Sequence, residues 1–257
     1  MTPVKLLTYC FIGSWFLIAQ TALAIVNDPM SYANLKDVET KHVHFVLKAD
    51  FENQQLTGYI EHQLTWKSNQ STLILDSKNL VIDQVKYYAD NHWSTLKPQA
   101  VVLAKADPIL GQKLSLRFPV QPSTVRIYYQ TTKDASGLQW LSKAQTHDKQ
   151  FPFMFTQSQA IHARSWMPIQ DTPAMRVTYS AEISTPKTLF AVMSADNSKN
   201  LDTKKKVVVD GQYVFNMTQR IPPYLIALAV GDIQYQAMSK QTGIYAEPHL
   251  PIPTPTN

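Results

Sequence analysis

Apolar and polar residues alternate along most of this chain in short runs, and that period of two limits its fold more than any other feature. HVHFVLKADF (residues 42–51) and LTGYIEHQLTW (56–66) change character at nearly every step, the spacing of a strand with one face buried and one wet. TLILD, LVIDQVKYY, KLSLRF and TVRIYYQ follow between positions 72 and 130, separated by turn-forming Asn, Asp, Gly, Pro and Ser. A second series holds MRVTYSAEIS, LFAVMSA, KVVVD, QYVFNMT and PYLIALAVGDI. After the first 24 residues no stretch long enough for a helix keeps a helical period, and 16 prolines against 7 glycines suit many short strands with stiff connections. The expected fold class is all-β, with stacked or strongly twisted sheets. ADNHWST and VVDGQY read as hairpin turns, because Asn and Asp-Gly accept positive φ. No fixed-period repeat is present, which disfavours a propeller or solenoid.

The first 24 residues stand apart. MTPVKLLTYCFIGSWFLIAQTALA has one positive charge at Lys5, an apolar run over residues 6–19 and a small-x-small site at Ala22-Leu23-Ala24. This is the layout of a cleavable secretory signal peptide, with cleavage expected near Ala24. An uncleaved membrane anchor would need roughly 20 apolar residues, more than this run supplies. Cys10 is the only cysteine and lies inside the leader. The processed chain, 257 − 24 = 233 residues, would then have no disulfide, no thiolate nucleophile and no cysteine-ligated zinc. Its stability must come from its core. Lys and Arg number 24 against 19 Asp and Glu, and the densest basic run is Lys204-Lys205-Lys206. Nucleic-acid binding wants a concentrated basic stripe with aromatic partners, which is missing.

The segment 155–183, FTQSQAIHARSWMPIQDTPAMRVTYSAEI, mixes two kinds of sequence. Its second half alternates as a strand. Its first half places Gln157, Gln159, His162, Arg164 and Asp171 in a stretch with neither period; such stretches line a site or tie down a loop. Ser158, His162 and Asp171 could be drawn as a nucleophile triad, but Ser158 lacks the Gly-x-Ser-x-Gly elbow that exposes a hydrolase serine. His42-x-His44 puts two imidazoles on one strand face, a metal-ligating spacing without an obvious third ligand; the plainer reading is a pair of surface histidines. There is no His-Glu-x-x-His and no glycine-rich phosphate loop.

The run GLQWLSKAQTHDKQFPFMFTQSQAIHARSWMPIQDTPAMRVTYSAEISTPKTLFAVMSA (137–195), with IPPYLIALAVGDI further on, resembles the amino-terminal domain of the zinc aminopeptidase family that includes aminopeptidase N and leukotriene A4 hydrolase, closest to the latter branch. The resemblance implies a large, saddle-like all-β sandwich of mostly antiparallel short strands, in an enzyme whose next domain binds the zinc. In that enzyme zinc polarises the scissile carbonyl and a glutamate activates water. It also implies that Gln157, Gln159 and Ala160 lie beside the substrate's amino end, with Gln159 where many relatives carry a glutamate for the α-amino group. The plain alternative is a pair of loop amides satisfying backbone groups, with His162 and Arg164 as buried anchors and Asp171 accepting backbone N–H bonds. The expected division is a signal peptide at 1–24, the β domain at 25–240, and at 241–257 a proline-rich tail or the start of the catalytic domain.

No catalytic or metal-binding residue and no cofactor is expected within this chain; zinc is expected only with the catalytic domain. Expected partners are a peptide amino terminus and a catalytic polypeptide, with neither nucleic acid nor, after cleavage, membrane. The leader implies a secreted or periplasmic protein, the periplasm being the compartment if the host is a two-membrane bacterium. A free-standing β-sandwich used for binding or scaffolding is the alternative; the absence of a large exposed apolar face would distinguish it.

Overall fold

A computed structural model describes residues 28–197, 211–239, 242–248 and 250. The expected leader, the Lys204-Lys205-Lys206 run and the KVVVD strand lie outside the described residues. In chain order the strands are β1 (Val38–Asp50), β2 (Gln55–Trp66), β3 (Thr72–Ser77), β4 (Val81–Ala89), β5 (His92–Thr95), β6 (Val101–Leu103), β7 (Gln112–Arg117) and β8 (Thr124–Gln130). The second half holds β9 (Leu138–Leu141), β10 (Phe153–Thr156), β11 (Val177–Ser184), β12 (Phe190–Met193), β13 (Gln212–Ile221), β14 (Leu228–Gly231), β15 (Gln234–Ala237) and β16 (Gly243–Ala246). Among the described residues the fold is all-β, with single 3-10 turns and no α-helix.

The largest sheet runs β13-β11-β1-β2-β8-β4-β5; β12-β14-β10-β9, β3-β7-β6 and the β15-β16 hairpin complete the set. Among the described residues the pairings are antiparallel except β1 with β11. The alternation in the sequence explains the two faces. Ala181, Phe45, Ile60 and Ile127 lie side by side in register and are fully buried. One residue along, Ser180, His44, Glu61 and Arg126 form the matching row on the opposite, outer face.

Local chemistry sets this register. In the β1–β2 turn the Asp50 carboxylate accepts the backbone N–H groups of Glu52 and Asn53, each at 3.0 Å. Gly58 has φ +147°, and a Cβ there would run into the Val46 carbonyl oxygen; only glycine allows that approach. At the β4–β5 hairpin, Asp90 and Asn91 both take left-handed conformations, φ 48° and 60°, as the ADNHWST motif requires.

The inner faces of the sheets close on one core. Leu73, Leu75, Leu114 and Leu116 enter from the three-stranded sheet and Met154, Ala191 and Val230 from the four-stranded one. The irregular segment between β10 and β11 supplies Trp166, Met167, Ile169 and Met175, all fully buried. Trp166 stacks on Phe45 with centroids 6.1 Å apart, and Ile169 exchanges backbone hydrogen bonds with Asp76 of β3. Most of this segment therefore ties the layers together.

Candidate functional site

The exposed part of that segment is small. β10 ends at Thr156, a loop spans 157–162, and a 3-10 turn covers Ala163–Ser165. Gln157, Gln159 and Ala160 are exposed, whereas Ser158 between them is buried. The Ser158 hydroxyl donates to the Ile226 carbonyl at 3.3 Å and accepts the Trp166 indole N–H at 3.0 Å. These bonds fix the loop from beneath.

A second set of bonds fixes it from the side. Gln157 N–H donates to the Gly137 carbonyl at 2.8 Å. Gly137 N–H donates to Ser165 Oγ at 2.7 Å, and that hydroxyl donates to the His162 carbonyl, also at 2.7 Å. His162 Nδ1 lies 2.8 Å from Ser136 Oγ. A Cβ at position 137 would come within 2.6 Å of the His162 carbonyl oxygen and 2.8 Å of Ser165 Oγ, so glycine is what lets the two segments touch. On this frame the Gln157 Oε1 accepts the Gln159 N–H at 3.3 Å, and the Gln159–Ala160 peptide bond is cis. Among the described residues the Gln159 side-chain amide engages no hydrogen-bonding group. Its carbonyl oxygen can accept a bond from an ammonium group, but the amide supplies neither charge nor an acid or base.

Below the loop sits a buried ionic cluster. Arg164 is fully buried; its Nε donates to Asp171 at 3.0 Å and its Nη1 lies 3.6 Å from Asp76. The remaining guanidinium hydrogens go to the carbonyls of Leu110 and Met30, at 2.9 and 2.7 Å, and of Asp171. Asp76 also accepts the Ser31 hydroxyl at 2.5 Å and the backbone N–H of Tyr32 and Asp171. Two carboxylates face one guanidinium in an apolar setting. Burial, only partly offset by Arg164, raises Asp76 from its ordinary value and pushes Asp171 up to about 6. Arg164 is thus the expected buried anchor, and Asp171 accepts the Arg164 backbone N–H at 3.2 Å. His162 is only half-buried.

The drawn triad does not assemble, because Ser158 bonds Ile226 and Trp166 while the His162 Nδ1 bonds Ser136. His62, which the sequence alone does not single out, is fully buried; its ring bridges Thr40 Oγ1 at 3.2 Å and the Pro168 carbonyl at 3.1 Å. Burial pushes its pKa down to about 4 despite the Pro168 bond, so the ring is neutral. Among the described residues no three His, Cys, Asp or Glu side chains gather as a metal-ion site. The described residues do not offer the three protein ligands that a catalytic zinc takes.

Residues 39–225 match the family described as Peptidase M1 N-terminal domain. The chain belongs to that family. This M1 amino-terminal domain is 34% identical over 239 residues to leukotriene A-4 hydrolase of Xenopus laevis, covering 88% of the chain and 37% of the relative. It is 32% identical over 224 residues to leucine aminopeptidase 2 of Yarrowia lipolytica, covering 86% and 32% respectively. The chain thus spans about a third of the length of the curated relatives it matches. Among solved structures it superposes on yeast LTA4 hydrolase in complex with bestatin with a TM-score of 0.74 at 30% identity, over 85% of this chain and 32% of that one. An M1 zinc metallopeptidase from Deinococcus radiodurans, at 16% identity and TM-score 0.57, shares the fold.

Proposed function

We propose that this chain is the substrate-recognition β domain of a secreted zinc aminopeptidase of the leukotriene A4 hydrolase type. Gln157, Gln159 and Ala160 form a wall against the amino end of a peptide. The observation that carries this reading is the contrast inside five residues: an exposed Gln159 amide without an internal partner, on a loop pinned from two sides by buried bonds. A loop amide serving only its own backbone would be engaged, as Gln157 is. Pre-organisation of this kind lowers the ordering cost of binding. The metal chemistry belongs to residues outside these 257, since the His-Glu-x-x-His motif is not among them. Export through the leader ending near Ala24 places the enzyme in the periplasm.

On this reading the purified chain, alone, does not hydrolyse a leucyl-anilide, with or without added zinc. Hydrolysis by the isolated chain that a chelator abolishes would overturn the proposed division of labour.

A further inference from the structure

The outer face of the seven-stranded sheet carries a feature that the peptidase reading does not use. His42 and His44 both project from β1 toward β11, and their rings converge. His42 Nε2 lies 3.0 Å and His44 Nδ1 lies 2.8 Å from one atom, the Ser180 Oγ. The outer nitrogen of each ring faces a different group on the same neighbouring strand. His42 Nδ1 is 2.8 Å from Thr178 Oγ1, and His44 Nε2 is 3.7 Å from Glu182 Oε1.

The parallel pairing of β1 with β11 makes this arrangement possible. It sets His42 beside Thr178, His44 beside Ser180 and Val46 beside Glu182, while the bulge between Thr40 and His42 turns both histidines outward. Glu182 in its carboxylate form can only accept, and at 3.7 Å its charge favours the His44 tautomer with the proton on Nε2 and the Nδ1 lone pair toward Ser180. The serine hydroxyl has one hydrogen, and that hydrogen goes to His44. Without an ion, His42 Nε2 can donate to that oxygen while its Nδ1 accepts the Thr178 hydroxyl; a metal ion at the convergence would take the place of the Nε2 proton.

The geometry points to a divalent transition-metal site at this convergence, with His42 Nε2 and His44 Nδ1 as ligands, Glu182 and Thr178 orienting the two rings, and the Ser180 hydroxyl or water completing the shell. Imidazole pairs suit zinc and copper, with Cu2+ the tighter ion by its place in the divalent series. An outer carboxylate on a ligating histidine fixes tautomer and ring orientation in such sites. Glu61 on β2 adds negative charge nearby but is held by Arg126 Nε at 2.6 Å, which keeps it from serving as a third ligand. The site is therefore open and two-handed, in accord with the lack of a three-ligand cluster among the described residues. None of this involves the 157–162 loop, and the site stands or falls independently of the peptidase reading.

The test is titration of the full chain with Cu2+ and with Zn2+ by calorimetry, with the Cu2+ spectrum read by electron paramagnetic resonance. One ion should bind per chain, with nitrogen coupling from two imidazoles. Replacing an orienting outer group costs roughly 10–100-fold in affinity, so Glu182→Gln should weaken binding about tenfold, and His42→Gln or His44→Gln by more. His92→Gln, on another strand, should leave it unchanged. Circular dichroism of each variant without metal keeps a folding failure from being read as a binding failure. Absence of binding in large ion excess, or binding that survives both His42→Gln and His44→Gln, overturns the proposal.

Discussion

Two buried side chains give this domain opposing responses to acid. His62 has a folded pKa of about 4 against an ordinary 6.5. The unfolded chain therefore takes the proton first, and the stability this residue contributes is lost as pH falls from 6.5 to 4, by on the order of 3 kcal/mol. Asp171 has the reverse sign. Its folded pKa, about 6, lies above the ordinary 3.8, so the cost of burying its charge is fully present above pH 6 and is relieved as pH falls toward 3.8, by about 3 kcal/mol at most. The two nearly cancel, and urea midpoints measured from pH 7 to 4 should change little through this pair. His62→Gln should remove the acid loss and Asp171→Asn the acid gain, so the two variants' profiles should tilt in opposite directions; parallel profiles would contradict the assignment. At the surface, Gln159→Glu would place a charge where an amide now stands. In an enzyme containing this domain it should tighten binding of a free α-amino group, because charge-assisted hydrogen bonds are about twice as strong as neutral ones. Competition by a free-amine peptide against its acetylated twin measures that change.

Strands and loops differ in how much of themselves they announce. Where one face is buried and the other wet, as in β1, β2, β8 and β11, alternation marks the strand to within a few residues. LQWL and FMFT escape notice because four residues without alternation have no readable period, yet they form β9 and β10, and β10 leads into the 157–162 loop. HWST, read as part of a hairpin turn, becomes β5, and GIYA pairs with β15 for four residues. The polar residues of the 155–171 stretch were visible, and so were the two alternatives for them. The choice was not legible, because it depends on partners far along the chain: Gly137 beside Ser165, Ile226 beneath Ser158, Asp76 beside Asp171. Gly137→Ala tests the frame directly. The added methyl meets the His162 carbonyl and Ser165 Oγ in a packed setting, and overpacking of this kind costs about 1–3 kcal/mol. Thermal unfolding should register that loss, with the largest amide shifts in the 157–162 loop.

At the scale of the molecule, Arg164 is the point where distant segments meet. Its guanidinium holds carbonyls of residues 30, 110 and 171 and faces the carboxylates of Asp76 and Asp171. Arg164→Leu would leave two buried carboxylates uncompensated and should cost about 3–5 kcal/mol, read from the urea midpoint. All-β architecture was legible in the pattern of the chain as a whole. The crossover that pairs β1 with β11 in parallel was not, since the pairing joins residues 136 apart and leaves no local trace. That crossover both seats Trp166 in the core and opens the outer histidine pair. The measurement closest to the proposed role is made on this domain joined to the zinc-binding domain of a related leukotriene A-4 hydrolase. kcat/KM for a leucyl-anilide is compared between the parent and Gln159→Ala. A hydrogen bond to a charged group is worth about 1.5–3 kcal/mol, so the expected result is a fall of roughly tenfold or more, absent for a substrate with a blocked amine. Equal rates for parent and variant on the free-amine substrate would contradict the assignment of this loop as the wall that receives the peptide's amino end.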